Sequence, residues 1–237
     1  MREKVVGLGY EKVVKYDEYH WNLLKEKREK AIDVMSCIAI LNPIVHGSVA
    51  RGDVDKRSDI DVVVPFPVPS FRIESILENS GYSIQSKFIV QATPKHTVKA
   101  QIVIDHETTV TFPIIKFSDT ELDFYKFGGM LTLSELKNGR RTPGVDKRLV
   151  LIIPLKDGHR ELSLLGNEKM ASQLIGVDMR IIEERIRVLK RRDKIGRTGI
   201  YMKEEVPLNK SFESFFEELK DKDPAIRRML RKRGVDV

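Results

Sequence analysis

The chain has 237 residues, 41% of them hydrophobic and 32% charged, and a formal net charge of +7. This length can bury the core of one large domain or of two small ones, and the single cysteine, Cys37, excludes a disulfide framework and a thiolate metal cluster. No apolar run approaches the length of a membrane span and no apolar signal region opens the chain, so we expect a soluble, cytoplasmic protein. The positive charge favours an anionic partner.

Two elements precede the most informative stretch. The valine pairs of residues 1–16 stand between charged residues and indicate a short arm. Asp17 can cap a long helix that runs to about Leu41, because apolar residues recur at helical spacing along it. Asn42-Pro43 then ends the helix.

The stretch from His46 to Val64 carries the chemistry. Gly47 and Ser48 follow an apolar run and lead into a short turn or helix, where small residues let backbone N–H groups and a hydroxyl approach a phosphate. Arg51 lies one turn further on and can add charge-assisted hydrogen bonds to that phosphate. We therefore predict that Gly47, Ser48 and Arg51 bind a phosphate group. His46 is better explained as a strand-end residue than as a catalytic base.

Ten residues separate Ser48 from Asp59-Ile60-Asp61, which opens a second apolar run. Side chains alternate along a strand, so Asp59 and Asp61 share one face, about 7 Å apart, while Ile60 points into the core. Two such carboxylates form a hard oxygen site of the kind that Mg²⁺ uses together with substrate phosphates. The alternative is an edge strand with two solvated acids.

The order of strand, Gly-Ser, short helix and Asp-x-Asp strand resembles the DNA polymerase β-like nucleotidyltransferase superfamily, in its archaeal type, over about residues 30–115. The resemblance implies an α/β (α+β) fold, with a small mixed sheet backed by helices. It also implies transfer of a nucleoside monophosphate from a triphosphate such as ATP to an acceptor hydroxyl, with release of pyrophosphate. Two Mg²⁺ ions would be held by the catalytic residues Asp59 and Asp61, and the outer phosphates by Gly47 and Ser48.

The family usually supplies a third carboxylate from a later strand. Here the predicted strand over 108–115 offers Thr109 and Thr111 on its polar face and no acid. Asp105 and Glu107, at the turn before it, are displaced candidates, and Asp105 is a tentative catalytic residue. Both are equally well explained as ordinary hairpin-turn acids.

The remaining pattern divides into two predicted domains, a nucleotidyltransferase domain over 1–135 and a C-terminal α+β domain over 136–237. In the first we expect a helix capped by Ser70, strands over 99–105 and 108–115, and capping boxes at Ser118 and Thr132. In the second we expect a hairpin that turns at Asp157-Gly158, helices capped by Asn167, Asp178, Ser211 and Asp223, and an extended segment over 196–207.

Basic clusters over 185–197 and 227–233 are the main indication of the acceptor. Such stripes bind phosphate backbones, which slightly favours RNA. They can equally be solvated helix faces with internal pairs such as Glu183–Arg187. A second hypothesis is a catalytically degenerate protein that binds nucleotide or RNA without turnover. A third is a partner-binding module that uses the Phe212, Phe215 and Phe216 face, which more often belongs to a core.

Overall fold

The computed structural model describes residues 4–196 and 199–235. Its strands in chain order are β1 (Glu11–Lys15), β2 (Ile44–His46), β3 (Ile60–Val63), β4 (Ser86–Gln91), β5 (Lys99–Val103), β6 (Thr108–Pro113), β7 (Met130–Thr132), β8 (Gly144–Val145), β9 (Val150–Leu155), β10 (Gly158–Ser163) and β11 (Met202–Val206). Its helices are α1 (Glu18–Cys37), α2 (Ser48–Arg51), α3 (Ser70–Asn79), α4 (Asp119–Phe127), α5 (Leu133–Lys137), α6 (Glu168–Ile175), α7 (Met179–Ile195), α8 (Phe212–Lys222) and α9 (Pro224–Lys232).

Within the described residues the strands form two sheets. The larger has the order β11-β4-β5-β6-β3-β2-β7, and the smaller has the order β1-β10-β9-β8. The larger sheet is mixed, because β3 and β6 run parallel while its other neighbours are antiparallel. The predicted α+β class, with a mixed sheet backed by helices, is confirmed.

The main core lies between one face of the large sheet and helices that include α1, α3, α8 and α9. The Asp17 carboxylate accepts a hydrogen bond from the backbone N–H of His20 at 2.8 Å, which confirms the predicted cap of α1. The helix ends at Cys37 rather than near Leu41, and a 3-10 turn at Ala39–Leu41 leads to Asn42 in the left-handed region.

Strand pairing does not follow the predicted division at residue 135. The predicted N-terminal arm contains β1, which pairs with β10 in the small sheet. From the other end of the chain, β11 pairs with β4 in the large sheet, and Phe212 packs edge-on against Phe112 with ring centroids 5.5 Å apart. Both termini therefore cross the predicted boundary, because pairing between distant segments is decided by their packing and leaves no local pattern.

Several predicted elements in the second half are confirmed. The β9–β10 hairpin is present and turns at residues 156–157, one residue before the predicted turn. Asp178, Ser211 and Asp223 accept backbone hydrogen bonds as N-caps of α7, α8 and α9. Ser70 is the first residue of α3 rather than its cap, and its hydroxyl donates to Glu213 at 2.7 Å. No helix in the described part of the chain is both long and apolar enough to cross a bilayer.

Candidate active site

Asp59 and Asp61 stand at the start of β3, in the middle of the large sheet. Ile60 and Val62 are fully buried in the main core, on the side where α1 packs. Asp61 lies on the other face together with Val63, which packs against Phe117 and Tyr125 below α4. The alternation of β3 thus places the Asp61 carboxylate on the α4 side of the sheet, away from α1.

The Asp61 carboxylate is only partly compensated by positive charge. Burial and the neighbouring charge of Asp59 raise its pKa from the ordinary 3.8 to about 6, and the nearby Lys99 ammonium only partly opposes this shift. No ion pair within the described residues involves Asp59 or Asp61. A close pair of carboxylates without a cation is an arrangement that a divalent metal ion would stabilise.

The Gly-Ser turn is held rigidly beside this pair. Gly47 has a φ of +84°, which side chains with a Cβ rarely adopt, and its N–H donates to the Gly129 carbonyl at 2.9 Å. The guanidinium of Arg28 on α1 donates to the carbonyls of Val49 and Ala50, each at 3.0 Å. α2 is therefore fixed to α1 at one side and to the chain after α4 at the other.

The Ser48 hydroxyl links the turn to the segment that carries the two acids. It donates to the Ser58 hydroxyl at 3.1 Å, and Ser58 is the residue before Asp59. The Ser58 hydroxyl in turn accepts from the backbone N–H of Asp55 at 2.9 Å. Ten residues separate Ser48 from Asp59, and most of α2 lies among them. In the folded chain both residues line the same cleft.

That cleft has a volume of about 920 Å³, which is the size of a site for a nucleotide-sized ligand. It opens between the β2–β3 end of the large sheet, the C-terminal end of α4, the loop after β8, and α7. Predicted site residues that line it are Gly47, Ser48, Arg51, Asp59 and Asp61.

The segment that contains Gly47, Ser48, Asp59 and Asp61 was compared with protein families. Residues 40–126 match the family model described as the nucleotidyltransferase domain. This segment therefore resembles a nucleotidyltransferase domain. The match confirms the predicted resemblance to the polymerase β-like nucleotidyltransferases, and it supports nucleotidyl transfer with a nucleotide substrate. Searches among curated proteins and among solved structures found no match.

The side chain of Arg51 makes hydrogen bonds that hold α2 in place. Its guanidinium pairs in bidentate geometry with Asp53, at 2.9 Å for each contact, and also donates to the Gly128 carbonyl. The side chain is buried. The guanidinium of Arg51 therefore holds α2 to the end of α4. A phosphate contact by Arg51, as predicted from the sequence, would compete with these hydrogen bonds.

Asp105 is not brought to the cleft of the nucleotidyltransferase domain. Its carboxylate pairs with Lys30 of α1 at 2.8 Å and accepts from the backbone N–H groups of Glu107 and Thr108. Although burial acts to raise the pKa of Asp105, Lys30 and these amides lower it to about 2. Glu107 also pairs with Lys30, at 2.8 Å, and with Lys27. Both acids face α1, on the side of the sheet opposite Asp61.

On β6, the strand that pairs with β3, no acid takes the third position. In the parallel pairing of β3 with β6, Asp61 is opposite Thr109. Within the described residues no group of three or more His, Cys, Asp or Glu side chains is placed to hold a metal ion. The domain therefore presents a two-carboxylate site.

His46 forms part of the frame around the cleft. Its Nδ1 lies 3.0 Å from the Tyr125 carbonyl, so the ring carries its proton there and donates. Burial and the positive charge of Arg51 lower the His46 pKa to about 4, which keeps the ring neutral at neutral pH. A Cβ at position 128 would lie 2.2 Å from the imidazole, so Gly128 permits the contact between β2 and the end of α4.

Sequence reasoning missed the part of α7 that lines the cleft. Arg185, Leu189 and Arg192 line the cleft, whereas Arg187 and Arg191 do not. The spacing i, i+4, i+7 places these three residues on one face of α7. The sequence alone does not show that this part of the chain packs against α4, so it does not show that this face lines the cleft.

Proposed function

We propose that the protein transfers a nucleoside monophosphate from a nucleoside triphosphate to an acceptor hydroxyl and that it depends on Mg²⁺. The observation that carries this proposal is the uncompensated Asp59–Asp61 pair, which opens onto a nucleotide-sized cleft beside Gly47 and Ser48. The acceptor hydroxyl loses its proton to solvent and its oxygen forms a bond to the α-phosphorus. The bond from that phosphorus to the bridging oxygen breaks, and pyrophosphate leaves.

The residues of the cleft fit this reaction. Asp59 and Asp61 would hold Mg²⁺, with phosphate oxygens and water completing its coordination. When bound, the metal supplies neutralisation of the charge that develops on the entering and leaving oxygens. The Ser48 hydroxyl can rotate from Ser58 to donate to a phosphate oxygen. Asp105 is left out of the proposed site because Lys30 and backbone amides hold it on the other face of the sheet.

For the acceptor we propose RNA, on the charge of a second pocket. This pocket of about 770 Å³ lies between α9 and the start of α4, with Phe117 and Met229 at its floor. Its basic side chains with no ion pair in the described part of the chain are Lys95, Lys116, Arg228 and Lys232. Cations around an apolar floor suit a phosphate backbone with unstacked bases.

One observation favours a second candidate, a nucleotide-binding protein without turnover. Thr109 stands where a third carboxylate would complete the metal site, and a hydroxyl is a much weaker metal ligand and no general base at neutral pH. In this candidate the cleft binds a triphosphate and no transfer follows.

The experiment is incubation of the protein with each labelled nucleoside triphosphate, Mg²⁺ or Mn²⁺, and total RNA, with Asp61→Ala as the matched control. The proposed enzyme yields labelled RNA with the wild-type protein and none with the control. Binding of triphosphate without label transfer favours the second candidate. Absence of both binding and transfer contradicts the proposed function.

A further inference from the structure

Charged side chains of the cleft are mostly neutralised by partners within it. Arg51 pairs with Asp53, Arg57 pairs with Asp55 at 3.4 Å, and Arg148 pairs with Asp146 at 2.6 Å. Three further charged residues of the cleft make no ion pair with a described residue. They are Asp59 in the loop before β3, Asp61 on β3, and Arg185 on α7. The cleft thus holds uncompensated charge of both signs, contributed by separate elements.

Arg185 is held in a defined position without an acidic partner. Its guanidinium lies over the Phe124 ring, 4.9 Å from the centroid, where α7 packs against α4. Its Nε atom is buried and makes no hydrogen bond with any described residue. Burial and the neighbouring positive charge of Arg192 lower the Arg185 pKa to about 10, so the group is still charged at neutral pH.

This arrangement is unfavourable unless a ligand completes it. Leaving a buried donor unsatisfied costs about 1–3 kcal/mol, and more when the donor is charged. A core arginine would be expected to have its donors satisfied, as those of Arg28 and Arg51 are by carbonyls and a carboxylate. Arg185 differs from both because the residue lines an open cleft and no described acid pairs with it. An anion in the cleft would neutralise the guanidinium and accept hydrogen bonds from its terminal nitrogens.

The kind of anion follows from the other occupants of the cleft. The carboxylates of Asp59 and Asp61 repel an anionic ligand unless a metal ion lies between, so the ligand must both bind metal and reach α7. A polyphosphate chain can do this, because different phosphate groups can contact the metal ion and the guanidinium. The planar fork of arginine matches two phosphate oxygens at once.

We propose that Arg185 contacts the phosphate chain of the bound nucleotide. This inference rests on the proposed function and deepens it, since it assigns a phosphate contact to a residue outside the matched segment 40–126. It also explains why α7, which belongs to the small-sheet core through Ile181, Ile182 and Leu189, packs against α4 at the edge of the cleft.

The test measures the affinity of purified full-length protein for inorganic triphosphate and for ATP, by titration calorimetry with Mg²⁺. The main variant is Arg185→Met, which keeps a flexible apolar stem over Phe124 and removes the charge. Arg185→Lys keeps the charge without the planar fork. Lys169→Met on α6 removes an exposed positive charge away from the cleft and controls for net charge. Circular dichroism melts establish that each variant is folded.

We expect Arg185→Met to bind both probes at least tenfold more weakly, Arg185→Lys to lie between it and the wild type, and Lys169→Met to match the wild type. The proposal is overturned if Arg185→Met binds both probes within twofold of the wild type, or if Lys169→Met loses as much affinity. Asp61→Ala separates this failure from that of the proposed function. If Asp61→Ala loses Mg²⁺-dependent binding while Arg185→Met does not, only the role of Arg185 is wrong. If the wild type binds neither probe, the proposed function itself fails.

Discussion

Thr109 lies directly opposite Asp61 in the parallel pairing of β6 with β3, so both side chains emerge on the face of the sheet that meets α4. The position opposite Asp61 on the neighbouring strand is therefore held by a residue that does not ionise. A substitution of Thr109 can therefore add one carboxylate next to Asp61.

Thr109→Asp should tighten Mg²⁺ binding at the site, because it adds a carboxylate beside Asp61. Without metal the same change should lower the melting temperature, because it brings a third negative charge to an already uncompensated pair. Mg²⁺ titrations and thermal melts with and without 10 equivalents of Mg²⁺ measure both effects. Thr109→Asn, which has nearly the same size and no charge, is the matched control. Equal Mg²⁺ affinity in the two variants would show that position 109 does not reach the metal site.

Asp61→Asn should stabilise the protein in the absence of divalent cations. The pKa of Asp61 is raised to about 6 in the fold, so the native state binds the proton more tightly than the unfolded chain does. Its ionisation therefore destabilises the fold as the pH rises from about 4 to 6, by up to about 3 kcal/mol above pH 6.

Thermal melts of Asp61→Asn and wild type at pH 7.5 and pH 4 check this sign. The variant should melt several degrees higher at pH 7.5, and the difference should shrink towards zero at pH 4. With Mg²⁺ and a triphosphate the advantage at pH 7.5 should also shrink, since only the wild type binds them well. A variant that melts below the wild type at pH 7.5 without metal would mean that the Asp61 carboxylate is well compensated.

The pocket between α9 and α4 gives a prediction for RNA. Arg228→Ala combined with Lys232→Ala should weaken binding of a single-stranded oligoribonucleotide and reduce the salt slope by roughly 0.7 for each lost phosphate contact. Filter binding between 50 and 200 mM salt measures the slope. Lys156→Ala combined with Lys169→Ala removes the same charge from exposed positions elsewhere. If both double variants lose equal affinity, the pocket has no special role and only net charge attracts the RNA.

Short-range features of this chain were readable from the sequence. The Gly47-Ser48 turn, the Asp59-Ile60-Asp61 strand start and the Asp17 cap of α1 depend on neighbours within a few residues, and the structure has them where the pattern predicts them. The alternation of β3 correctly separated Ile60 from Asp61, because the period of a strand is fixed by its backbone.

Features decided by distant contacts were not readable. The pairing of β1 with β10 joins segments about 150 residues apart, and that of β11 with β4 joins segments more than 100 apart. The same limit explains Arg51 and Arg185. The sequence predicted a phosphate contact for Arg51, whose guanidinium donates to Asp53 and to the Gly128 carbonyl in the structure. Only the packing of α7 on α4 shows that Arg185 lines the cleft.

The proposed function requires that Asp59 and Asp61 bind a nucleoside triphosphate through Mg²⁺. Titration calorimetry of the wild type and Asp61→Ala with each nucleoside triphosphate, with Mg²⁺ and with EDTA, tests it most directly. We predict that at least one triphosphate binds the wild type much more tightly with Mg²⁺ than with EDTA, and that Asp61→Ala loses this difference while its circular dichroism spectrum is unchanged. Equal Mg²⁺-dependent affinity in the wild type and in folded Asp61→Ala would contradict the account.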